Sequence, residues 1–173
     1  TPEAPTQRKR PKMSLKDILS SPRRSKRGSP KNSDFDIIAE DIKPLKQNDL
    51  LIKTIYLSLD PYMRGRMNEA KSYAQPIKID SVMEGETVSQ VVETKNKNYK
   101  IGDIVIGKTG WQEFHTCSSE TIKKINPDIA PISTALGVLG MPGKTAYIGI
   151  KNFAKPKKGE TIVVSAASGA VGS

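Results

Sequence analysis

The sequence contains few of the residues that build disulfide-linked domains or zinc sites. It has one cysteine, Cys117, and one histidine, His115, in 173 residues. A single cysteine cannot form an internal disulfide bond, which fits a reducing compartment, and we take the cytoplasm as the default location. Zinc centres require several Cys and His ligands, so we expect no metal site and interpret both residues as packing residues of a strand.

Long apolar segments are also absent. No stretch approaches the ~18 apolar residues that a membrane-spanning helix needs, and no secretory signal is recognisable, so no membrane association is expected. Aromatic residues make up only 5% of the sequence, whereas 12 prolines and 13 glycines are present. This composition indicates many turns and short strands rather than a helical bundle.

The net charge of +10 is concentrated at the N-terminus. Residues 1–31 contain ten Lys or Arg and two acidic residues, whereas residues 32–173 contain 18 and 16. Because the body of the chain is nearly neutral, nucleic-acid binding by the globular part is not expected.

The basic N-terminal segment, residues 1–31, is predicted to be a disordered tail, because it is rich in proline and has little to bury. Its two basic clusters, at residues 8–12 and 23–27, resemble a bipartite nuclear import signal. The alternative is a solvated tail, or a residual linker, that has no targeting function.

Residues 32–130 have the pattern of a small antiparallel barrel. Short runs rich in β-branched and aromatic residues are separated by turns of Gly, Pro and Asn, as in compact all-β barrels. The predicted strands lie within residues 34–40, 49–59, 81–93, 100–107, 110–116 and 121–125. The fold class predicted for the chain is therefore mainly β.

Residues 131–173 change in pattern and predict the start of a second domain. Apolar residues recur at helical intervals in residues 131–139 and 143–153. Residues 161–164 are interpreted as a buried strand that leads into a loop of small residues at 165–172. Such a loop lets the backbone approach a pyrophosphate closely, although a tight turn without a ligand explains the same residues. Its pattern is A-A-x-G-x-x-G rather than the usual G-x-G-x-x-G.

Two longer strings carry a family resemblance. They are Tyr56-Leu57-Ser58-Leu59-Asp60-Pro61-Tyr62-Met63-Arg64-Gly65-Arg66-Met67 and Leu136-Gly137-Val138-Leu139-Gly140-Met141-Pro142-Gly143-Lys144-Thr145-Ala146-Tyr147. With the glycine-rich loop, they resemble the leukotriene B4 dehydrogenase/prostaglandin reductase-like family of zinc-free medium-chain dehydrogenases/reductases. Curcumin reductases and plant double-bond reductases are the most similar members. The resemblance covers residues 28 to 173.

The resemblance implies a GroES-like barrel followed by a Rossmann domain that binds NADP(H). The family reduces the C=C bond of α,β-unsaturated ketones or aldehydes by hydride transfer to the β-carbon. By motif, Tyr62 and Tyr73 match tyrosines that line the substrate pocket; a packing role beside the proline turn is the alternative for Tyr62. The residues that match the cofactor-binding positions are Met141, Thr145, Ala167, Gly169, Ala170, Val171 and Gly172. For Met141 and Thr145, a purely structural role at a helix start is the alternative.

Three further expectations follow. Arg64 and Arg66 could face the cofactor phosphates, but arginines on a turn are more often solvated. Extra basic residues precede Gly28 where the family has its opening strand, so the first barrel strand is expected to be weak, replaced or absent. Because the sequence ends inside the glycine-rich loop, we expect these 173 residues to be inactive alone. The resemblance, and not the sequence itself, implies a homodimer for the full-length protein.

Two functions therefore remain open from the sequence. One is an NADPH-dependent enone reductase of which this chain is the N-terminal part. The other is a non-catalytic truncated barrel that carries a basic nuclear-targeting or interaction tail.

Overall fold

The computed structural model describes residues 9–15, 29–31, 34–42, 44–68, 74–78 and 81–173. The chain divides into two compact units, Thr1–Lys124 and Ile125–Ser173. The division predicted at residue 130 lies close to this boundary and stays a prediction.

The described residues of the first unit form seven strands and one short helix. The helix, α1, is Tyr62–Arg66, and a 3₁₀ turn at Ser119–Thr121 precedes the last strand. The strands are β1 (Lys9–Leu15), β2 (Phe35–Asp41), β3 (Asp49–Leu57), β4 (Thr87–Thr94), β5 (Ile104–Gly107), β6 (Phe114–Ser118) and β7 (Ile122–Lys124).

Five of these strands form one curled antiparallel sheet in the order β6-β3-β4-β5-β7. The register between β3 and β4 shifts at Leu51/Ile52 and again between Thr54 and Tyr56. Such irregularities bend a strand and increase its twist, which lets the sheet curl into a half-barrel. The prediction of a mainly β, barrel-type fold is confirmed.

The core of the half-barrel is apolar and comes from every strand of the sheet. One buried cluster contains two alternate side chains of β3 and one side chain from each of β4, β5, β6 and β7, and Tyr99 packs against it. Its members are Leu50, Ile52, Val91, Val105, Cys117 and Ile122. Cys117 is buried, as its interpretation as a packing residue requires.

The tail differs from its prediction at β1. This strand pairs antiparallel with β2, from Lys9 opposite Asp41 to Leu15 opposite Phe35. The expectation of disorder therefore does not hold for Lys9–Leu15, because pairing with β2 satisfies backbone N–H and C=O groups of both strands. Pro11 is tolerated because each strand of a two-stranded sheet keeps one unpaired edge. The remainder of the predicted tail up to residue 28 lies outside the described residues, and so does the whole second basic cluster. Residues 9–12 of the first cluster lie in β1.

The second unit begins with a 3₁₀ segment, Ile132–Leu136, followed by α2 (Met141–Ile148) and a π-helical turn at Gly149–Ala154. These elements agree with the helical periodicity of the sequence. The strand predicted at residues 161–164 is wrong: the segment has no strand structure, and Val163 is 89% exposed. A strand needs hydrogen-bonded neighbours, and the described residues of this unit contain no other strand to pair with it.

Candidate functional site

Tyr62 is the first residue of α1, where the chain turns away from β3. Pro61 precedes the helix, and its fixed φ of −56° is already helical. The backbone N–H of Met63 donates to the carbonyl oxygen of Asp60 at 3.0 Å, which holds the turn closed. The Asp60-Pro61 turn therefore starts the helix at Tyr62, after β3 has ended at Leu57.

The half-buried ring of Tyr62 rests on a second apolar cluster. Its buried members are Met63, Ile77 and Met83, and Met67 and Trp111 also pack against them. Since the ring is packed on one side, its position is set by the core rather than by solvent. Both interpretations from the sequence, pocket lining and packing, remain compatible with this half-buried placement.

Two glycines allow the Trp111 ring to lie close to the backbone in this cluster. A Cβ at Gly85 would lie 3.1 Å from Cδ1 of Trp111 and 2.6 Å from Cδ1 of Leu57. Gly110 has φ +77°, and a Cβ there would lie 2.8 Å from the carbonyl oxygen of Met83. The N–H of Trp111 donates to that same oxygen at 2.8 Å. This close packing identifies Trp111 as a structural part of the site that sequence reasoning missed.

The electrostatic surroundings keep the Tyr62 phenol protonated. Burial raises the pKa of Tyr62, and the carboxylates of Asp60, Glu84 and Glu86 raise it further, whereas Arg66 acts in the opposite direction. A phenol whose pKa lies above its usual value of about 10 is neutral at pH 7 and can donate a hydrogen bond.

Arg66 is held within this site rather than solvated on a turn. Its Nη2 atom lies 2.7 Å from Oε1 of Glu84, and its side chain is only 18% exposed. Its Nε atom is buried and has no hydrogen-bond partner among the described residues. Arg64 instead donates from Nη1 to Oδ1 of Asn68 at 2.7 Å. Sequence reasoning missed Glu84, because its partner is 18 residues away and no local pattern joins them.

Tyr73, the second tyrosine predicted for the substrate side, lies outside the described residues. Its role therefore stays a prediction.

The cofactor residues predicted in the second unit fall in α2 and in the C-terminal loop. Met141 begins α2 and is 50% exposed. The hydroxyl of Thr145 donates to the carbonyl oxygen of Met141 at 2.8 Å. Close backbone packing explains two of the glycines in the string, since a Cβ at Gly140 or Gly143 would collide with a carbonyl of the preceding segment. These contacts fit a structural role at the helix start, although α2 has no side-chain cap at Gly140. The cofactor role of Met141 and Thr145 stays a prediction.

The small-residue loop is folded into consecutive turns and is largely exposed. The N–H of Gly169 donates to the carbonyl oxygen of Ala166 at 2.8 Å. A Cβ at Gly172 would lie 2.6 Å from that oxygen, so this position requires glycine. Ala167, Ala170 and Val171 are exposed beside them. The loop thus presents backbone with little side-chain cover, which is the property that a phosphate group requires.

A metal centre and a membrane-spanning helix are both absent from the part of the chain that the structure describes. There, no group of three or more His, Cys, Asp and Glu side chains could hold a metal ion. No described helix is long and apolar enough to cross a membrane.

Known proteins resemble this chain in both sequence and structure. It is 46% identical over 145 residues to the NADPH-dependent curcumin reductase of Escherichia coli (strain K12), covering 84% of this chain and 42% of that protein. It is 45% identical over 150 residues to the 2-alkenal reductase (NADP(+)-dependent) of Nicotiana tabacum, covering 84% of this chain and 44% of that protein.

The crystal structure of CurA in complex with NADPH from Vibrio vulnificus matches with a TM-score of 0.80 and 42% identity, covering 94% of this chain and 46% of that one. The chain thus spans less than half the length of the relatives it matches. Residues 21–125 match a family described as the N-terminal domain of oxidoreductase. This chain therefore belongs to the zinc-free medium-chain dehydrogenase/reductase family, as a member related to the curcumin, alkenal and prostaglandin reductases.

Proposed function

We propose that this chain is the substrate-side part of an NADPH-dependent reductase that saturates the C=C bond of α,β-unsaturated ketones or aldehydes. The observation that carries the proposal is the match to CurA, a protein crystallised with NADPH, over 94% of this chain at a TM-score of 0.80. The relatives named for curcumin and 2-alkenal reduction support the same substrate class. We further propose a cytoplasmic location and a homodimeric full-length protein.

Tyr62 would act as a hydrogen-bond donor to the substrate carbonyl. Hydride addition to the β-carbon of an enone moves negative charge onto the carbonyl oxygen, and a neutral phenol can stabilise that charge by donating to it. The raised pKa of Tyr62 keeps the proton on the phenol while the enolate forms. The α-carbon then takes up a proton from solvent, which completes the saturated ketone.

The small-residue loop fits a dinucleotide. Gly172 has no room for a side chain, and residues 165–171 are exposed, so a pyrophosphate could approach the backbone closely. When bound, NADPH supplies the hydride. Gly169, Ala170 and Val171 would line its phosphates, and Met141 and Thr145 would lie on the nicotinamide side, as the resemblance implies.

The test uses this chain and an extended protein in which it is continued by the C-terminal part of Vibrio vulnificus CurA. NADPH binding is measured by fluorescence titration, and reduction of a simple alkyl vinyl ketone by the loss of NADPH absorbance. We expect the extended protein to bind and turn over, and the 173-residue chain alone to do neither. CurA itself serves as the positive control.

Tyr62→Phe in the extended protein separates the role of the phenol from packing, because the ring is kept. We expect kcat to fall about 100- to 1,000-fold with NADPH affinity unchanged, the range for loss of one oxyanion-hole donor. An extended protein that binds NADPH but reduces no enone would refute the proposed reaction. Unchanged kcat in Tyr62→Phe would refute the role of Tyr62 alone.

A further inference from the structure

Tyr62 and the four described charged residues that act on its phenol form what we call the Tyr62 corner: Asp60, Glu84, Glu86 and Arg66. Among these residues, negative charges outnumber positive ones. Among the described residues, the charged groups that act on the Tyr62 phenol are three carboxylates and one guanidinium. Asp60 precedes the helix by two residues, and Glu84 and Glu86 flank Gly85 directly before β4. A hydrogen bond of 3.0 Å from the N–H of Ser58 to the carbonyl oxygen of Glu86 joins the two segments. The carboxylates are therefore brought to Tyr62 by the fold and not by sequence proximity alone.

Arg66, the one cation among these residues, is already paired with a carboxylate. Arg66 lies four residues after Tyr62, on the same face of α1, and its Nη2 pairs with Glu84 at 2.7 Å. Arg64 lies two residues after Tyr62, about 200° around the helix, and donates to Asn68. In the described part of the chain, no cation pairs with Asp60 or Glu86. Among the described residues, these two carboxylates thus have no paired cation at the corner.

Apolar side chains also precede and underlie α1. Leu59 and Tyr56, which lead into α1, are 71% and 45% exposed, and the Tyr62 ring itself lies on the Met83 cluster. Exposed apolar groups next to a packed tyrosine favour an uncharged, apolar substrate, because binding it removes apolar surface from water. An anionic substrate would gain the same contacts but would meet the field of Asp60 and Glu86.

We propose that the Tyr62 corner selects uncharged enones and discriminates against enones that carry a carboxylate or phosphate near the reacting carbonyl, with Asp60 and Glu86 as the specificity-determining residues. This inference rests on the proposed function, since it assumes that the enone carbonyl binds at Tyr62. Removing a negative charge from a partly solvated site is expected to change the rate constant for an anionic substrate by roughly three- to fivefold per carboxylate.

The probe is a pair of substrates that differ only in charge. 4-Oxohex-5-enoate carries a carboxylate insulated from the vinyl ketone by two methylene groups, and its methyl ester is neutral. The ratio of kcat/KM for ester and acid is measured for the extended protein, at low and at high salt. Because both substrates use the same enzyme sample, a change in folded fraction cancels in the ratio.

The test variant is the double substitution Asp60→Asn and Glu86→Gln, which keeps side-chain size and removes both charges. The matched control is Glu93→Gln with Glu120→Gln, which makes the same change in net charge on exposed residues that do not act on the Tyr62 phenol. We expect the ester-to-acid ratio to fall by about tenfold in the test variant and by less than about twofold in the control. Added salt should reduce the ratio of the parent protein toward that of the test variant, since screening weakens the field.

The outcomes separate this inference from the function on which it rests. If neither substrate is reduced although NADPH binds, the proposed function fails. If both are reduced and the ratio is the same in parent, test and control proteins, the proposed function stands and the charge selection is refuted. A ratio that changes equally in the test and control variants would also refute it, because net charge and not the Tyr62 corner would then decide.

Discussion

Three glycine-to-alanine substitutions in the first unit separate backbone strain from steric collision. Gly110 and Gly102 both have positive φ, +77° and +95°, but only Gly110 is crowded: its Cβ would lie 2.8 Å from the carbonyl oxygen of Met83, whereas nothing lies within 4 Å of a Cβ at Gly102. Gly65, in α1, has an open surrounding and no positive φ. The three sites thus differ in one factor at a time.

The expected costs follow from these differences. Gly102→Ala should destabilise the fold by about 1–2 kcal/mol, the cost of a left-handed backbone for a residue with a Cβ. Gly110→Ala adds a collision with backbone that cannot rotate away, for a total of about 3–4 kcal/mol. Gly65→Ala should stabilise by about 0.5 kcal/mol, because alanine restricts the unfolded chain without a clash.

The assay is urea unfolding followed by the fluorescence of Trp111, the only tryptophan, which packs next to Gly85 and reports on the first unit. Circular dichroism at the same urea concentrations checks that the β-sheet unfolds in the same transition. A Gly110→Ala protein that is no less stable than Gly102→Ala would refute the argument from the Met83 carbonyl.

Two further predictions concern titratable groups. The near-ultraviolet phenolate signal of Tyr62 is identified as the part of the spectrum that Tyr62→Phe removes, and its pKa should lie above the usual tyrosine value of about 10. The double substitution Glu84→Gln and Glu86→Gln should lower that pKa. A pKa that is the same in the parent and the double variant would contradict the described field. Because the folded pKa of Tyr62 is raised, its contribution to stability is full below the unfolded pKa and is lost as the pH rises through the folded value. Burial raises the pKa of Cys117 to about 11, so the native thiol should react with a disulfide reagent far more slowly at pH 8 than the urea-unfolded thiol, and equal rates would show that it is accessible.

Local sequence was sufficient to locate the run of β3 and the helix α2. The β-branched run that became β3 ends at Asp60-Pro61, and proline can neither continue a central strand nor donate to it, so the turn into α1 was readable. The helical spacing around Met141 likewise predicted α2. The segment at 161–164 has the composition of a buried strand but is exposed, because strand structure depends on partners that composition alone does not supply.

The sequence by itself determined the mainly β class, the proline turn beside Tyr62, and the family, since these depend on short patterns and on strings of consecutive residues. Only the tertiary structure decided the surroundings of Tyr62. Glu84, Glu86 and Trp111 come to that corner through strand pairing and the backbone contacts of Gly85 and Gly110, over separations of more than 20 residues. Charge and burial act through space, so the field that raises the pKa of the phenol became visible only once the sheet had folded.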